Sequence, residues 1–346
     1  MVNKTLYIRK FDKSKYSVLF DSKSGLFIRK EYKGYDEPFC NVESPELLDI
    51  SITNYCEKAC EFCYRESSVK GQHMCLNDYK KIIVQASELG VFQVALGGGN
   101  PNQHPDFIEI LKMTRENGIV PSYTTNGHGI NDDIIKATKM YCGAVAVSLY
   151  EPYNESFYSI QKFLNDGVKV NIHYLLSEET INSAINILNN PQKLQGINAL
   201  VFLNYKPISS QTHSLLKSSN QITKFIQTIN NNNFNFKIGF DSCSISFLLQ
   251  EGLLTDDKCL DFCEAGRFSA FISEKAEMYP CSFMVSKYKG ASLKNNRIGE
   301  VWKHDENFVK IRKTIKDNRC KNKCRYVNQC NGGCSLFTDI NHKSCF

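Results

Sequence analysis

Three cysteines lie close together in the stretch "CEKACEFCYRES", residues 56–67. They are Cys56, Cys60 and Cys63, so three residues separate the first pair and two separate the second. Structural zinc sites and most iron–sulfur clusters use four protein ligands. A set of three thiolates leaves one coordination position open, which is typical of a catalytic metal site rather than a closed structural one.

A zinc site completed by a more distant side chain is the structural alternative for this loop. His73 and Cys75 follow the three cysteines closely in the chain. Either side chain would complete a four-ligand set of the kind that structural zinc uses. The spacing alone leaves this alternative open.

The composition is otherwise that of an ordinary globular protein, with 346 residues of which 42% are apolar and 23% charged. The first residues lack the apolar segment of a signal peptide, and no run approaches the ~18 apolar residues of a membrane span. We therefore expect a cytoplasmic protein that does not bind membranes. The formal net charge is +6, but without a long Lys/Arg run we expect no nucleic-acid partner.

Cysteines are the unusual feature of the composition. There are fifteen, and five of them lie between residues 320 and 345. Because a reducing cytosol disfavours disulfides, this density is typical of metal or redox ligands. The segment after residue 240 is loop-rich and cysteine-rich, and we expect that it needs metal to fold.

Around the first cysteine loop, short apolar runs alternate with segments whose apolar residues recur with the period of a helix. Strands separated by helices predict βαβ units, and six of them predict an α/β fold with a partial (β/α)6 barrel. The cysteine loop directly follows the first strand, at the face where barrel active sites lie. The six predicted strands span residues 47–52, 92–96, 120–125, 144–149, 168–176 and 199–203.

Three regions follow from these patterns. Residues 1–45 predict a short N-terminal β segment, with a hairpin signal at "DSKSG". Residues 46–240 predict the partial barrel, which ends after the low-complexity run "INNNNFNF". Residues 241–346 predict a small cysteine-rich domain.

The first cysteine loop resembles the signature of the radical S-adenosylmethionine (SAM) superfamily, with Phe62 in the aromatic position before the last cysteine. The resemblance implies a [4Fe–4S] cluster on Cys56, Cys60 and Cys63, with SAM chelating the open iron. It also implies reductive cleavage of SAM to a 5′-deoxyadenosyl radical. The cofactor supplies this chemistry, while the protein orients it and excludes water.

Further motifs on the same barrel face match that family. "GGGNP" resembles its Gly-Gly-Gly-Glu-Pro loop, although Asn100 replaces the acidic residue, and "TTNG" resembles its turn after the third strand. Two residues of the fifth strand, 171 and 173, point the same way, and one of them is expected to reach the cofactor. Together, the resemblance and the strand alternation predict nine cofactor-contacting residues, which are Phe62, Gly97, Gly98, Gly99, Asn100, Asn126, Ser148, Asn171 and His173.

The C-terminal cysteines resemble the SPASM domain, which carries two auxiliary [4Fe–4S] clusters in radical maturases. This chain departs from the pattern at Ala276, which replaces a glycine, and in a wider first cysteine pair. The resemblance assigns Cys320, Cys324, Cys330 and Cys345 to an outer cluster, and Cys263, Cys281 and Cys334 to an inner one.

The fourth ligand of the inner cluster is open between Cys243 and Cys259. We favour Cys259, because the family's fourth ligand often lies just upstream of the first. Four-thiolate sites also suit zinc, which remains an alternative for one or both auxiliary sites. With three clusters in all, the spare cysteines are Cys40, Cys75, Cys142 and whichever of the two competing residues is unused.

The function implied is hydrogen abstraction by the 5′-deoxyadenosyl radical, and we favour a ribosomally made peptide as substrate. The product would be a crosslink, a thioether or an epimer, with electrons from a flavodoxin- or ferredoxin-type protein. The alternatives are a radical enzyme acting on a free small molecule, anaerobic sulfatase maturation, and a non-enzymatic iron–sulfur or zinc protein.

The substrate-contacting residues are not encoded in any motif. An epimerase needs a thiol hydrogen donor, for which Cys75 and Cys142 are candidates, although a spare cysteine is more often buried packing. Lys206, at a strand end, is a candidate for gripping the substrate. The N-terminal strands are a further hypothesis, since a leader peptide can pair with a strand edge.

Overall fold

The strands form two separate sheets. The computed structural model of the protein describes residues 5–208, 213–217, 219–253, 261–317 and 330–340. Within these ranges one sheet has three strands and the other has ten. No helix in the described part of the chain is long and apolar enough to cross a membrane.

The small sheet covers one end of the molecule's core. Its antiparallel strands are β1 (Leu6–Phe11), β2 (Tyr16–Asp21) and β3 (Phe27–Glu31). The hairpin predicted at "DSKSG" is confirmed, and the Asp21 carboxylate accepts hydrogen bonds from the backbone N–H groups of Lys23 and Ser24 there. The buried face of β2 packs in one cluster with Phe92 and Val120.

The large sheet is parallel through most of its width, and all six predicted strands are confirmed. Each strand pairs with the next along the chain, as buried βαβ units require. A seventh parallel strand, which the sequence did not indicate, follows at one edge. These strands are β4 (Leu47–Thr53), β5 (Gln93–Gly98), β6 (Val120–Thr125), β7 (Val145–Ser148), β8 (Val170–Leu176), β9 (Ala199–Asn204) and β10 (Lys237–Phe240).

Helices follow the strands and cover their outer face. On β4, the side chains of Leu48, Ile50 and Ile52 are fully buried in one cluster with Tyr79 and Ile83 of the first helix. Each such burial contributes roughly 1.5–3 kcal/mol. The helices are α1 (Leu76–Leu89), α2 (Phe107–Glu116), α3 (Asp132–Tyr141), α4 (Asn154–Asn165), α5 (Ile181–Asn189), α6 (Ser219–Asn231), α7 (Ile245–Gln250), α8 (Ile298–His304) and α9 (Glu306–Lys316).

The C-terminal region continues the barrel sheet beyond β4. Strand β11 (Ser269–Ile272) pairs with β4 in parallel, so that Phe271 lies opposite Asp49, and β12 (Glu277–Tyr279) and β13 (Ala291–Ser292) follow in antiparallel order. Strands β11, β12 and β13 are only two to four residues long, which is too short for a sequence period to reveal. The domain boundary between residues 240 and 241 stays a prediction.

Candidate active site

The three-cysteine loop leaves the carboxyl end of β4 and folds back in tight turns. The amide of Cys63 donates to the carbonyl of Cys60 at 3.0 Å, and Ala59 takes a left-handed backbone with φ of 42°. Cys56 is buried, whereas the other two thiols are partly exposed. Burial raises the pKa of the Cys60 thiol, while a hydrogen bond with Tyr150 acts in the opposite direction.

The turn after β6 contacts this loop directly. Asn126 donates from Nδ2 to the sulfur of Cys56 at 3.4 Å, and its Oδ1 accepts from the amide of His128 at 2.9 Å. The Nζ of Lys58 donates to the carbonyl of Asn126 at 3.1 Å. Asn126 therefore supports the cysteine loop through the sulfur, which is the role of an outer-shell hydrogen-bond donor at a metal site.

The three glycines at the end of β5 differ in how closely the neighbouring chain approaches them. A Cβ on Gly98 would lie 2.1 Å from the carbonyl oxygen of Thr53, and one on Gly99 would lie 2.1 Å from that of Tyr55. These two glycines let the loop pack against the start of the cysteine loop. Gly97 is open, since a Cβ there would meet only the Asp49 carboxylate, at 4.0 Å.

Asn100 is fully buried and its side chain is used within the protein. Its Oδ1 accepts from the Thr125 hydroxyl at 3.0 Å and from the amide of Asn126 at 3.2 Å, and its Nδ2 donates to the carbonyl of His128 at 3.1 Å. These contacts fix the glycine loop to the turn after β6. Direct contact of Asn100 with a cofactor stays a prediction.

The other predicted cofactor residues lie on β7 and β8, and Asn171 and His173 share the face of β8 that points to the barrel interior. Ser148 at the end of β7 pairs with His173 of β8, and Asn171 lies two residues earlier on that strand. Burial lowers the pKa of His173 to about 4, so its ring is neutral at pH 7. The Oδ1 of Asn171 accepts from Asn198 at 2.7 Å.

Phe62 lies among aromatic rings. Its ring contacts that of Tyr150 edge-on, with centroids 5.3 Å apart, and that of His213 at 4.7 Å. These contacts bring the chain that follows β9 next to the cysteine loop. Phe62 therefore packs against one aromatic ring from the loop after β7 and one from the loop after β9.

A charged cluster that the sequence did not reveal ties the loop to α4. His128 contacts Glu155 through Nδ1 at 2.6 Å and Glu57 through Nε2 at 2.7 Å, and Lys58 pairs with Glu155 at 2.7 Å. The hydrogen bond with Glu155 is the main reason why the pKa of His128 is raised. The four residues come from two loops and the first turn of α4, so no local spacing could indicate them.

Four C-terminal cysteines are close to one another. A cavity of about 710 Å³ is lined by Cys243, Cys263 and Cys281, among others. Cys243 is hydrogen-bonded to Cys334, and this contact lowers the pKa of the Cys334 thiol. The thiols of Cys263 and Cys281 interact electrostatically with each other and with Cys334. Cys259, the favoured competitor of Cys243, lies outside the described residues.

Lys206 lies beside these cysteines in a buried ion pair. Its Nζ contacts the Asp241 carboxylate at 2.7 Å and lies 4.8 Å from the Phe283 ring centroid. Burial opposes the lysine charge, but Asp241 and the thiol of Cys243 outweigh it, so the pKa of Lys206 is raised. A lysine paired with a carboxylate in this way suits a supporting role near the thiols.

The remaining predicted residues are not gathered at these sites. Cys75 is exposed at the start of α1, and Cys142 follows α3, at the barrel end opposite the cysteine loop. His73, the alternative zinc ligand, shares a hydrogen bond with the Thr53 hydroxyl at 2.9 Å. Cys330 is buried beside α7. The predicted outer-cluster ligands Cys320, Cys324 and Cys345 lie outside the described residues.

The donor chemistry fits the predicted metal groups. The cysteine loop after β4 and the group of C-terminal cysteines both offer thiols, which are the ligands of iron–sulfur clusters and of thiolate-bound zinc. In the described part of the chain, no three His, Cys, Asp or Glu side chains are gathered around the position of a single ion. Thiolates that hold an iron–sulfur cluster each bind a different iron, so they do not converge on one point.

Family comparisons agree with this arrangement. The family model of the radical SAM superfamily matches residues 50–186, and the SPASM model, an iron–sulfur cluster-binding domain, matches residues 263–331. The chain belongs to the radical SAM superfamily and carries a SPASM domain. A radical SAM enzyme of this kind uses S-adenosylmethionine and iron–sulfur clusters.

Individual relatives are similar over different lengths. Mycofactocin maturase MftC of Mycobacterium tuberculosis is 22% identical over 87% of this radical SAM chain and 79% of its own. A probable GTP 3′,8-cyclase of Pyrococcus horikoshii is 36% identical, but over only 23% of this chain and 26% of its own.

Among solved structures, Streptococcus suis SuiB shares the fold of the whole chain. SuiB bound to S-adenosylmethionine has a TM-score of 0.75 at 17% identity, covering 100% of this chain and 97% of that one. SuiB bound to its precursor peptide SuiA has a TM-score of 0.74 at 15% identity, with the same coverage. The similarity therefore includes the N-terminal sheet and the SPASM region.

Proposed function

We propose that this radical SAM enzyme is a peptide maturase that abstracts a hydrogen from a ribosomally made peptide. The observation that carries the proposal is the extent of the similarity. The maturase MftC matches 87% of the chain, and the SuiB fold, known with a bound precursor peptide, matches all of it. The similarity to GTP 3′,8-cyclase covers 23% of the chain, which favours the peptide over a free small molecule.

In this proposal Cys56, Cys60 and Cys63 hold the SAM-binding cluster, and Asn126 supports it through its hydrogen bond to Cys56. When bound, the cluster and SAM supply the 5′-deoxyadenosyl radical. The protein's part is to hold the glycine loop, the turn after β6 and the cysteine loop in one arrangement. Phe62 and its aromatic neighbours help to exclude water from the loop.

We further propose two auxiliary [4Fe–4S] clusters, which makes three in all. For the inner cluster we now favour Cys243, together with Cys263, Cys281 and Cys334, since Cys243 is hydrogen-bonded to Cys334 and shares a cavity with the other two. The outer cluster would use Cys320, Cys324, Cys330 and Cys345. A flavodoxin- or ferredoxin-type protein would deliver the electrons.

The test is anaerobic reconstitution followed by two assays. With dithionite and SAM, the protein should release 5′-deoxyadenosine, and C56A should abolish this, whereas C75A, at an exposed cysteine, should not. Co-expression with a short peptide encoded beside this gene should change the peptide by the loss of two hydrogens, or should introduce solvent deuterium without another mass change. SAM cleavage without any peptide modification would contradict the substrate class, and no cleavage would contradict the enzymatic function.

A further inference from the structure

Asp49 is a carboxylate on the inner face of the barrel. On β4 its neighbours Leu48 and Ile50 are fully buried toward the helices, so Asp49 lies on the opposite, lumen-facing side of the strand. It pairs in register with Ala95 of β5 and Phe271 of β11. It therefore lies where the barrel sheet meets the strands of the C-terminal region.

The Asp49 carboxylate has no hydrogen-bond partner among the described residues, although it lies inside the protein. The opposite charge that acts on it is Arg65, whose guanidinium contacts Glu274 at 2.7 Å. The side chains of that pair are 5% and 7% exposed. Asp49 itself is half-buried and lines a cavity, so its carboxylate is open to a group that enters that cavity.

The space in front of Asp49 is the cavity that the inner cysteines also line. The charged groups that face this cavity are Lys206 and Asp241 after β9 and β10, and Asp261 and Glu264 before β11. Lys206 is paired with Asp241, and Glu264 with Arg29. Tyr64 also interacts electrostatically with Asp49. The cavity, about 710 Å³, is lined by Asp49 and by the thiols of Cys243, Cys263 and Cys281, so a substrate side chain that enters it would lie between Asp49 and the inner cluster proposed on those thiols.

The proton affinity of Asp49 suits acid–base chemistry. Burial raises the pKa of its carboxyl to about 7, and Arg65 offsets only part of that effect. A base whose pKa lies near the working pH is both available and able to accept a proton. A perturbed carboxyl in a cavity is also a physical indicator of a functional site.

We propose that Asp49 is the proton acceptor for the bond-forming step on the peptide. This inference rests on the proposed peptide function and adds that the reaction is an oxidation. One hydrogen of the peptide leaves as an atom to the 5′-deoxyadenosyl carbon. As the new bond forms, a second hydrogen leaves as a proton to an Asp49 carboxylate oxygen. The remaining electron passes to a one-electron acceptor of the iron–sulfur class, so the peptide loses two hydrogens in total.

The test compares D49N and D49E with wild type and with D166N, a control at an exposed position at the end of α4. In D49N we expect unchanged iron content and unchanged deuterium transfer from labelled peptide to 5′-deoxyadenosine. Formation of the crosslinked product should fall by about 10²-fold or more, the usual contribution of a positioned base. D49E should restore part of the rate, and D166N should match wild type.

Two further measurements do not depend on turnover in D49N. Infrared titration of the holoenzyme should show a carboxyl that titrates near neutral pH in wild type and is absent from D49N. In wild type and D49E, product formation should fall as the pH drops below the pKa of the carboxyl. If D49N loses its clusters, these two results still decide the proposal.

The outcomes separate the two claims. Wild-type product formation by D49N, a product without mass change, or a pH-independent product-forming step overturns the role of Asp49 alone. Simultaneous loss of peptide binding, deuterium transfer and product in D49N also overturns it, because Asp49 would then be a binding residue. A wild-type enzyme that modifies no peptide overturns the proposed function itself.

Discussion

Asn126 and Cys56 are joined by a hydrogen bond of 3.4 Å from the amide Nδ2 to the thiol sulfur, although seventy residues separate them in the chain. The contact links the turn after β6 to the first cysteine of the loop after β4. Hydrogen bonds to the sulfurs of an iron–sulfur cluster stabilise its more negative, reduced form. This pair is therefore suited to tune the cluster that we propose on the cysteine loop.

Replacement of Asn126 by alanine should lower the reduction potential of the SAM-binding cluster. The variant removes the hydrogen bond to Cys56 but keeps all three thiols. A redox titration followed by electron paramagnetic resonance should show a shift of the cluster to lower potential. In a separate assay with a weak reductant, the variant should cleave SAM more slowly than wild type. Asn131, whose side chain caps α3 through the amide of Ile134, provides a control, because its alanine variant should lose about 1 kcal/mol of stability without the shift.

Asn100→Ala should destabilise the protein. The substitution leaves the buried amide of Asn126 without its acceptor, which costs about 1–3 kcal/mol, whereas the Thr125 hydroxyl keeps Asn102 as an acceptor at 2.6 Å. Urea unfolding should give the decrease in the free energy of unfolding. Asn117→Ala, just after α2, is the control and should cost less, since the Asn117 side chain is partly exposed and donates to the carbonyl of Met113 without accepting a hydrogen bond from any described residue. Equal costs for the two variants would contradict the importance of the loop contact.

The buried pair of Arg65 and Glu274 fastens the cysteine loop to the residues after β11. Glu274→Ala should destabilise the protein by about 3 kcal/mol, because it leaves the Arg65 charge buried and unpaired. The exposed pair of Glu88 and Arg297 has the same separation of 2.7 Å, so Glu88→Ala is a matched control expected to cost below about 1 kcal/mol. Thermal unfolding of both variants tests this, and the iron content of the first should fall as well.

The contacts of His128 with Glu57 and Glu155 should make stability depend on pH. Its pKa is raised in the folded protein, so its contribution is complete below the unfolded value of about 6.5 and is lost as the pH rises through the folded value. Since the side chain is 40% exposed, the melting temperature should change by a few degrees at most. His128→Gln should remove this part of the pH profile. An identical profile in the variant would show that the cluster does not contribute.

The sequence predicted features that depend on residues close together in the chain, and it missed those that join distant segments. The six barrel strands were predicted because buried parallel strands appear as local apolar runs, and the Cys56 loop because its spacing is local. The cluster of His128, Glu57 and Glu155 was not predicted, because it joins residues from two loops and a helix that are far apart in the chain. Strand β11 was missed because its four residues carry no measurable period.

Asn100 illustrates the intermediate case. Its place in the glycine loop was predicted from the sequence, but its partners were not, since Thr125 and Asn126 belong to the next strand and turn. Asp49 was not singled out at all. A single carboxylate within an apolar run acquires its meaning only when the register places it on the inner face of the sheet.

The final prediction concerns the fourth ligand of the inner cluster, which the sequence left open between two cysteines. Cys243 lies beside Cys334 and is hydrogen-bonded to it, whereas Cys259, which the sequence favoured, lies outside the described residues. We expect Cys243→Ala to lose about four irons per chain and the spectroscopic signal of one cluster, because a site with three thiolates holds a structural cluster poorly. Cys259→Ala should keep the iron content of wild type. The opposite pattern would restore the sequence-based preference for Cys259, and Mössbauer spectra of the two variants, prepared side by side, distinguish the two assignments.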